Sequence, residues 1–155
     1  LICHAYHHLH GMPMFCLRFF TVYGPRQRPD LAIMKFARRL LAGEPIQMFG
    51  DGTTSRDYTY IDDIVDGVCR AVERCRGYEV INLGSEHPVT LKEMIETVAA
   101  ACGREPVVEQ LPMQPGDVNR TFADVTKAKR LLDYAPRMPF EEGVAREVAW
   151  LRNVT

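Results

Sequence analysis

Residues 17–30, LRFFTVYGPRQRPD, limit what this chain can fold into more than any other stretch. A wholly apolar core, Phe19-Phe20-Thr21-Val22, runs without a break into a loop carrying Tyr23, Gly24, Pro25, Arg26 and Arg28. Apolar residues on both faces of a strand predict burial on both sides, as in a parallel sheet covered by helices. In such sheets ligands bind where strands end in loops. The arginine-bearing exit loop is therefore the expected address of an anion.

The rest of the chain alternates helix and strand signals, which favours an α/β fold. Residues 1–10 have helical periodicity, with Gly11 and Pro13 as stop signals. The strand is expected over 14–22 and its loop over 23–30. Asp30 is expected to cap a helix over 31–42, whose Leu31, Met34, Ala37, Leu40 and Leu41 recur every three or four positions. A short strand over 46–49 precedes the tight turn Gly50-Asp51-Gly52. Charged and aromatic residues alternate over 56–60, and Asp62 is expected to cap a helix over 63–75. A strand over 79–83 follows. TLKE, with Thr90 and Glu93, forms a capping box for a helix ending at Cys102-Gly103. Residues 106–110 are a strand candidate and 111–116 a Pro/Gly loop. Asp124 is expected to cap a helix reaching Leu132. An amphipathic helix over 140–153 closes the chain, burying Val144, Val148, Trp150 and Leu151.

At 155 residues the chain suffices for one compact domain or for part of a larger one. Its net charge of −1 argues against nucleic-acid and membrane-surface partners. No apolar run approaches the roughly 20 residues that span a bilayer, and no secretory signal pattern opens the chain. Five cysteines without CxxC spacing read as reduced thiols of a cytoplasmic protein. The chain opens on Leu1, inside a helical pattern with no capping residue before it. It is therefore expected to be the C-terminal portion of something longer.

Three constellations carry candidate chemistry. Arg26 and Arg28 lie in a loop stiffened by Pro25 and Pro29, and guanidinium groups hold carboxylate or phosphate through paired hydrogen bonds; a solvated surface loop is the alternative. In FGDGTTSRDYTYIDDI, Gly50 and Gly52 allow close backbone approach to a ligand, with Arg56 following. The alternative is a hairpin turn with Arg56 paired to Asp51 or Asp57. In QPGDVNRTFAD, Asp117 suits a sugar diol or simply a local turn. His4 and His8 make a two-ligand edge without a third ligand, so no metal site is assigned. GxGxxG, Walker, nucleophile-elbow and YxxxK patterns are all absent.

Taken in order, LRFFTVYGPRQRPD, PIQMFGDGTTSRDYTYIDDIVDG, VINLGSEHPVTLKEMIE and PGDVNRTFADVTKAKRLL resemble the C-terminal half of the extended short-chain dehydrogenase/reductases that modify nucleotide sugars. Within that group the resemblance is closest to the UDP-glucuronate 4-epimerases and covers essentially all of residues 1–155. It implies the C-terminal part of an NAD-binding Rossmann-like sheet plus a small α/β nucleotide-sugar-binding domain. It implies NAD as cofactor, a UDP-sugar and the missing N-terminal half as partners, and a homodimer for the complete protein. It also implies that Thr21 reaches the sugar or diphosphate and that the backbone around Phe20 lies near the nicotinamide. Arg56 would grip the diphosphate, Asp117 the uridine ribose and Arg28 a uronate carboxylate. Some relatives carry an arginine at the place of Gln114. The family's glycine-rich NAD loop and YxxxK pair lie N-terminal to everything here. The chain alone therefore supplies no catalytic residue and is expected to be silent. Another nucleotide-sugar dehydratase or decarboxylase, or a non-catalytic binding module, is the alternative.

Overall fold

The computed structural model describes residues 1–154 and is mixed α/β, with parallel strand pairs as expected. Its elements run α1 (Ile2–His10), β1 (Met14–Phe19), β2 (Thr21–Tyr23), α2 (Ala32–Ala42), β3 (Ile46–Phe49), β4 (Ser55–Tyr60), α3 (Ile61–Arg74), β5 (Tyr78–Leu83) and β6 (Pro88–Thr90). They continue through α4 (Leu91–Cys102), β7 (Val108–Leu111), α5 (Thr126–Leu132) and α6 (Phe140–Val154). Strand β1 pairs in parallel with β5, β2 with β4, and β3 with β7, while β6 joins β4 antiparallel.

The single strand expected over 14–22 is two strands. The extended chain stays on β5 through Phe20, whose N–H donates to the Leu83 carbonyl at 3.0 Å. It then changes partner, and Thr21 lies opposite Tyr58 of β4. Burial on both faces does not hold for β1, none of whose residues is fully buried. Phe15 and Leu17 turn to a core, but Phe19 keeps 51% of its surface exposed. The physical reason is coverage: among the described residues β1 has β5 on one edge only, and helices cover it incompletely.

That partner change divides the interior into two cores. One gathers Ile81 and Leu83 of β5 with Ile64 and Ala71 of α3 and Ala128 and Leu132 of α5. The other packs α2, α4 and α6 over β2 and β4, through Ile33, Met34, Met94, Val98, Val144 and Val148. Tyr23, Tyr58, Tyr60 and Phe140 form an aromatic seam in it, with ring centroids 5.3–6.4 Å apart.

Helix starts differ from expectation in an instructive way. The Thr90–Glu93 capping box is present, with both reciprocal hydrogen bonds. Asp30 does not cap α2, because Arg28 engages its carboxylate at 3.1 and 2.7 Å. Gln27 substitutes from the preceding loop: its Oε1 accepts the Met34 N–H at 3.2 Å. Asp62 does not cap α3, which begins at Ile61. Asp63 instead accepts the Arg137 and Met138 N–H groups at 3.0 and 3.1 Å. Asp124 serves one position outside the cap of α5, accepting the Thr126 N–H at 2.9 Å. Among the described residues no helix is long and apolar enough to cross a membrane.

Candidate functional site

A cleft of about 360 Å³ opens beside Thr21, the first residue of β2, between the start of α2, the Phe49–Thr54 turn and the segment carrying Gln114 and Asp117. Thr21, Arg56 and Asp117 all line it. Residues 21, 56 and 117 are distant in sequence, and the sheet brings them together. Thr21 lies opposite Tyr58, two residues beyond Arg56 on β4.

Asp117 arrives because the chain from 117 to 123 is laid along β4. The Ser55 N–H donates to the Asn119 carbonyl at 2.9 Å and the Thr121 N–H to the Ser55 carbonyl at 3.1 Å. The Asp57 N–H donates to Thr121 Oγ1 at 3.0 Å, and the Ala123 N–H to Asp57 Oδ2 at 3.0 Å. This stitching carries the Asp117 carboxylate to the Arg56 guanidinium, and the two form an ion pair. Arg56 Nη1 also donates to the Ser55 carbonyl at 2.9 Å. The partners considered from the sequence are engaged elsewhere. Asp51 accepts from the Thr53 N–H and hydroxyl at 3.0 and 2.6 Å, and Asp57 is wholly buried under other donors. The glycine turn is no hairpin either, since β3 pairs with β7 while β4 pairs with β2 and β6. Gly50 and Gly52 do take positive φ, at 78° and 83°.

Two expected site residues lie off the cleft lining. Arg28 is 72% exposed in its side chain and bound to Asp30, whose carboxyl it holds below the usual range. Asp30 itself lines the cleft, so Arg28 stands one ion pair away from it. Phe20 packs instead with the β1–β5 core. The extended backbone accounts for this: neighbouring side chains point to opposite faces, so Thr21 and Phe20 address different sides.

The structure adds residues that sequence reading did not select. Lys35 borders the cleft with no ion pair among the described residues and, with Arg56, gives it cationic character. Tyr58 walls it; burial pushes its phenol up to about 12, so it stays protonated. Gln27 ties the loop to both neighbours, donating to the Val22 carbonyl at 2.9 Å while accepting from Met34. Glu147 of α6 is buried and accepts the Gly24 N–H at 2.8 Å. A carboxyl inside the apolar stripe of Val144, Val148 and Leu151 was the available signal for it. The four N-terminal histidines remain a helix face, with His4 and His7 against the Tyr78 ring. No group of three metal-ligating side chains occurs among the described residues.

Two cationic side chains, a diol-competent carboxylate and a protonated phenol around one cleft suit a phosphorylated, hydroxyl-rich ligand. Known proteins share the architecture. The chain is 46% identical over 150 residues to an uncharacterized protein of Methanocaldococcus jannaschii, aligning 97% of this chain with 46% of that one. It is 42% identical over 154 residues to a UDP-glucuronate 4-epimerase of Thermodesulfobacterium geofontis, aligning 99% with 47%. The crystal structure of UDP-glucuronic acid 4-epimerase from Bacillus cereus, in complex with UDP-glucuronic acid and NAD, superposes with a TM-score of 0.93 at 36% identity. That match covers 99% of this chain and 50% of the other. The chain thus spans about half the length of the curated relatives it matches. The family model for the NAD dependent epimerase/dehydratase family matches residues 1–84, which hold β1, β2 and the arginine loop that begins the cleft. By sequence and by fold, this chain belongs to the NAD dependent epimerase/dehydratase family.

Proposed function

We propose that this chain is the nucleotide-sugar-binding part of an NAD-dependent UDP-sugar epimerase. Its substrate pair is UDP-glucuronate and UDP-galacturonate, interconverted at C4 through a 4-keto sugar. The observation that carries this reading is the Arg56–Asp117 pair on the cleft wall, beside Thr21. On ligand binding the pair exchanges partners: Arg56 turns its paired donors to the diphosphate and Asp117 accepts from the ribose diol. Lys35 adds charge at the cleft rim. Arg28 leaves Asp30 for the sugar carboxylate, which needs a cation when taken out of water. The UDP-glucuronate 4-epimerase of Thermodesulfobacterium geofontis and the Bacillus cereus complex with UDP-glucuronic acid support the uronate assignment.

The residues here do not assemble an NAD site on their own. The chain has no GxGxxG segment, and in the backbone around Phe20, the stretch expected near the nicotinamide, the Phe20 N–H already serves the Leu83 carbonyl. We therefore assign NAD binding and the YxxxK acid–base pair to an N-terminal half of the same protein. Exposed Ile2, Tyr6 and Leu9 on α1 support that packing partner and a homodimer of the complete protein. Five free thiols support a cytoplasmic setting.

Titration of residues 1–155 with UDP tests the cleft. Hydrogen bonds to charged groups are worth about 1.5–3 kcal/mol, so Arg56→Ala weakens UDP binding by about ten- to a hundredfold. Arg56→Lys recovers only part, since an ammonium lacks the paired geometry. Unchanged affinity in Arg56→Ala would make the Asp117 pair purely structural. Coding DNA upstream of Leu1 tests the assignment to a longer enzyme: an in-frame YxxxK supports it and a start codon at Leu1 refutes it.

A further inference from the structure

Glu147 has a buried carboxyl that the proposed chemistry does not use. It has no exposed surface and lies in the stripe of α6 that packs on the second core. Oε2 accepts the Gly24 N–H at 2.8 Å, and buried Oε1 has no hydrogen-bond partner among the described residues. Tyr23 of β2 and Tyr60 at the end of β4 feel its charge, and the other charged groups acting on those two phenols are Asp62 and Asp63 of α3 and Glu141 and Arg146 of its own helix. Arg146 does not neutralise it, being held by Glu142 at 2.6 Å and stacked over the Tyr60 ring. Both tyrosines are pushed above the ordinary phenol value, chiefly by burial. The buried residues that α2 and α4 contribute to this core are Ile33, Met34, Phe36, Ala37 and Leu40, and Met94, Ile95, Val98, Ala99 and Cys102.

A carboxyl buried with a single donor is costly, so its one bond is informative. Gly24 is the first residue of the strap 24–31 that joins β2 to α2 and edges the cleft. Its φ is 133°, and a Cβ there would meet Ile61 Cγ2 at 2.7 Å, so its backbone fits in one place. The Gly24 carbonyl accepts the Gln27 N–H at 3.0 Å. Gln27, Asp30 and Leu31 then line the cleft. Glu147 thus holds the near end of the strap, and Gln27 holds its middle to β2 and α2.

We propose that Glu147 is a positioning residue for ligand binding: its carboxylate fixes Gly24, and through Gly24 the strap over the cleft. The inference rests on the nucleotide-sugar reading of that cleft. Burial raises the Glu147 carboxyl to about 7, so both of its forms are populated near neutrality. The ionised form makes the stronger, charge-assisted bond to Gly24, and the neutral acid a weaker one. Acid therefore loosens the strap while relieving the cost of a buried charge. Ligand affinity and fold stability move in opposite directions as pH falls, which a merely structural residue would not produce.

The test uses residues 1–155 and UDP-glucuronate, whose diphosphate does not titrate between pH 5.5 and 8. Wild-type affinity is expected to fall by about fivefold from pH 8 to 5.5, the difference between a charge-assisted and a neutral hydrogen bond. Glu147→Gln is expected to give a flat profile. In the unsubstituted chain, the Gly24 amide resonance is expected to titrate with a midpoint near 7, which needs no variant. A Gly24 amide that does not titrate overturns the proposal. So does a Glu147→Gln profile that matches wild type, which leaves the cleft reading intact. Absence of UDP-glucuronate binding at every pH instead overturns the cleft reading and the positioning role with it.

Discussion

Asp57 should be among the least replaceable residues of this chain, and the structure says by how much. Its carboxylate is wholly buried. Oδ1 accepts the Ser85 N–H and hydroxyl at 2.7 and 2.8 Å and the Thr59 hydroxyl at 3.3 Å. Oδ2 accepts the Glu86 and Ala123 N–H groups at 3.1 and 3.0 Å. Asp57→Ala strands three backbone N–H groups. At about 1–3 kcal/mol each, with water relieving the part-buried Ser85 and Glu86 sites, the loss is about 3–5 kcal/mol. Asp57→Asn is isosteric, yet whichever way the amide turns, its NH₂ faces a backbone donor. The expected cost is about 2–4 kcal/mol, close to that of alanine. Urea denaturation at pH 7 measures both, through a lowered midpoint at unchanged slope. The Ala123 bond also anchors the stretch that brings Asp117 to Arg56, so UDP binding should weaken before the fold is lost. An Asp57→Asn chain within about 1 kcal/mol of wild type would refute the reasoning.

Three further outcomes are expected. In the complete enzyme, Arg28→Ala should impair turnover of UDP-glucuronate far more than UDP-glucose while leaving UDP affinity nearly intact; steady-state kinetics on both sugars decide it, and equal losses reassign Arg28 to the phosphates or the loop. Glu147 titrates at about 7 in the folded chain against 4.5 unfolded, so the native state binds the extra proton. Stability should be greatest below pH 4.5 on this account, fall as pH rises toward 7, and lose about 3 kcal/mol in all. Urea midpoints that show no such fall relative to Glu147→Gln would contradict it. Gly143→Ala should destabilise by about 1–3 kcal/mol through overpacking, because the new Cβ would stand 2.3 Å from the Tyr23 hydroxyl, in a buried aromatic seam; an unchanged melting temperature would show that the seam yields.

Most of the secondary structure was legible in local sequence. Gly11 and Gly103 close their helices with positive φ as expected, Gly43 does the same for α2, and TLKE formed its capping box. Those features depend on a few neighbouring residues, which a sequence displays directly. Acidic caps were less legible. A carboxylate serves whichever donor the fold brings nearest, so Asp30 went to Arg28, and Asp63, beside the expected cap Asp62, went to residues 137 and 138. Among the expected site residues, Thr21, Arg56 and Asp117 came together on one cleft, whereas Arg28 and Phe20 lie off its lining.

The sequence by itself determined the alternation of helix and strand, the glycine stops and the presence of arginines after an apolar run. Each is a property of backbone sterics or of local hydrophobic period. Only the tertiary structure decided that the run 14–23 divides between two partner strands, because a change of partner leaves no mark on the strand's own residues. Only it paired Arg56 with Asp117, across 61 residues, through the backbone laid along β4. And only it set a carboxyl of the last helix beneath the Gly24 strap, since which polar group enters a core is fixed by what packs around it.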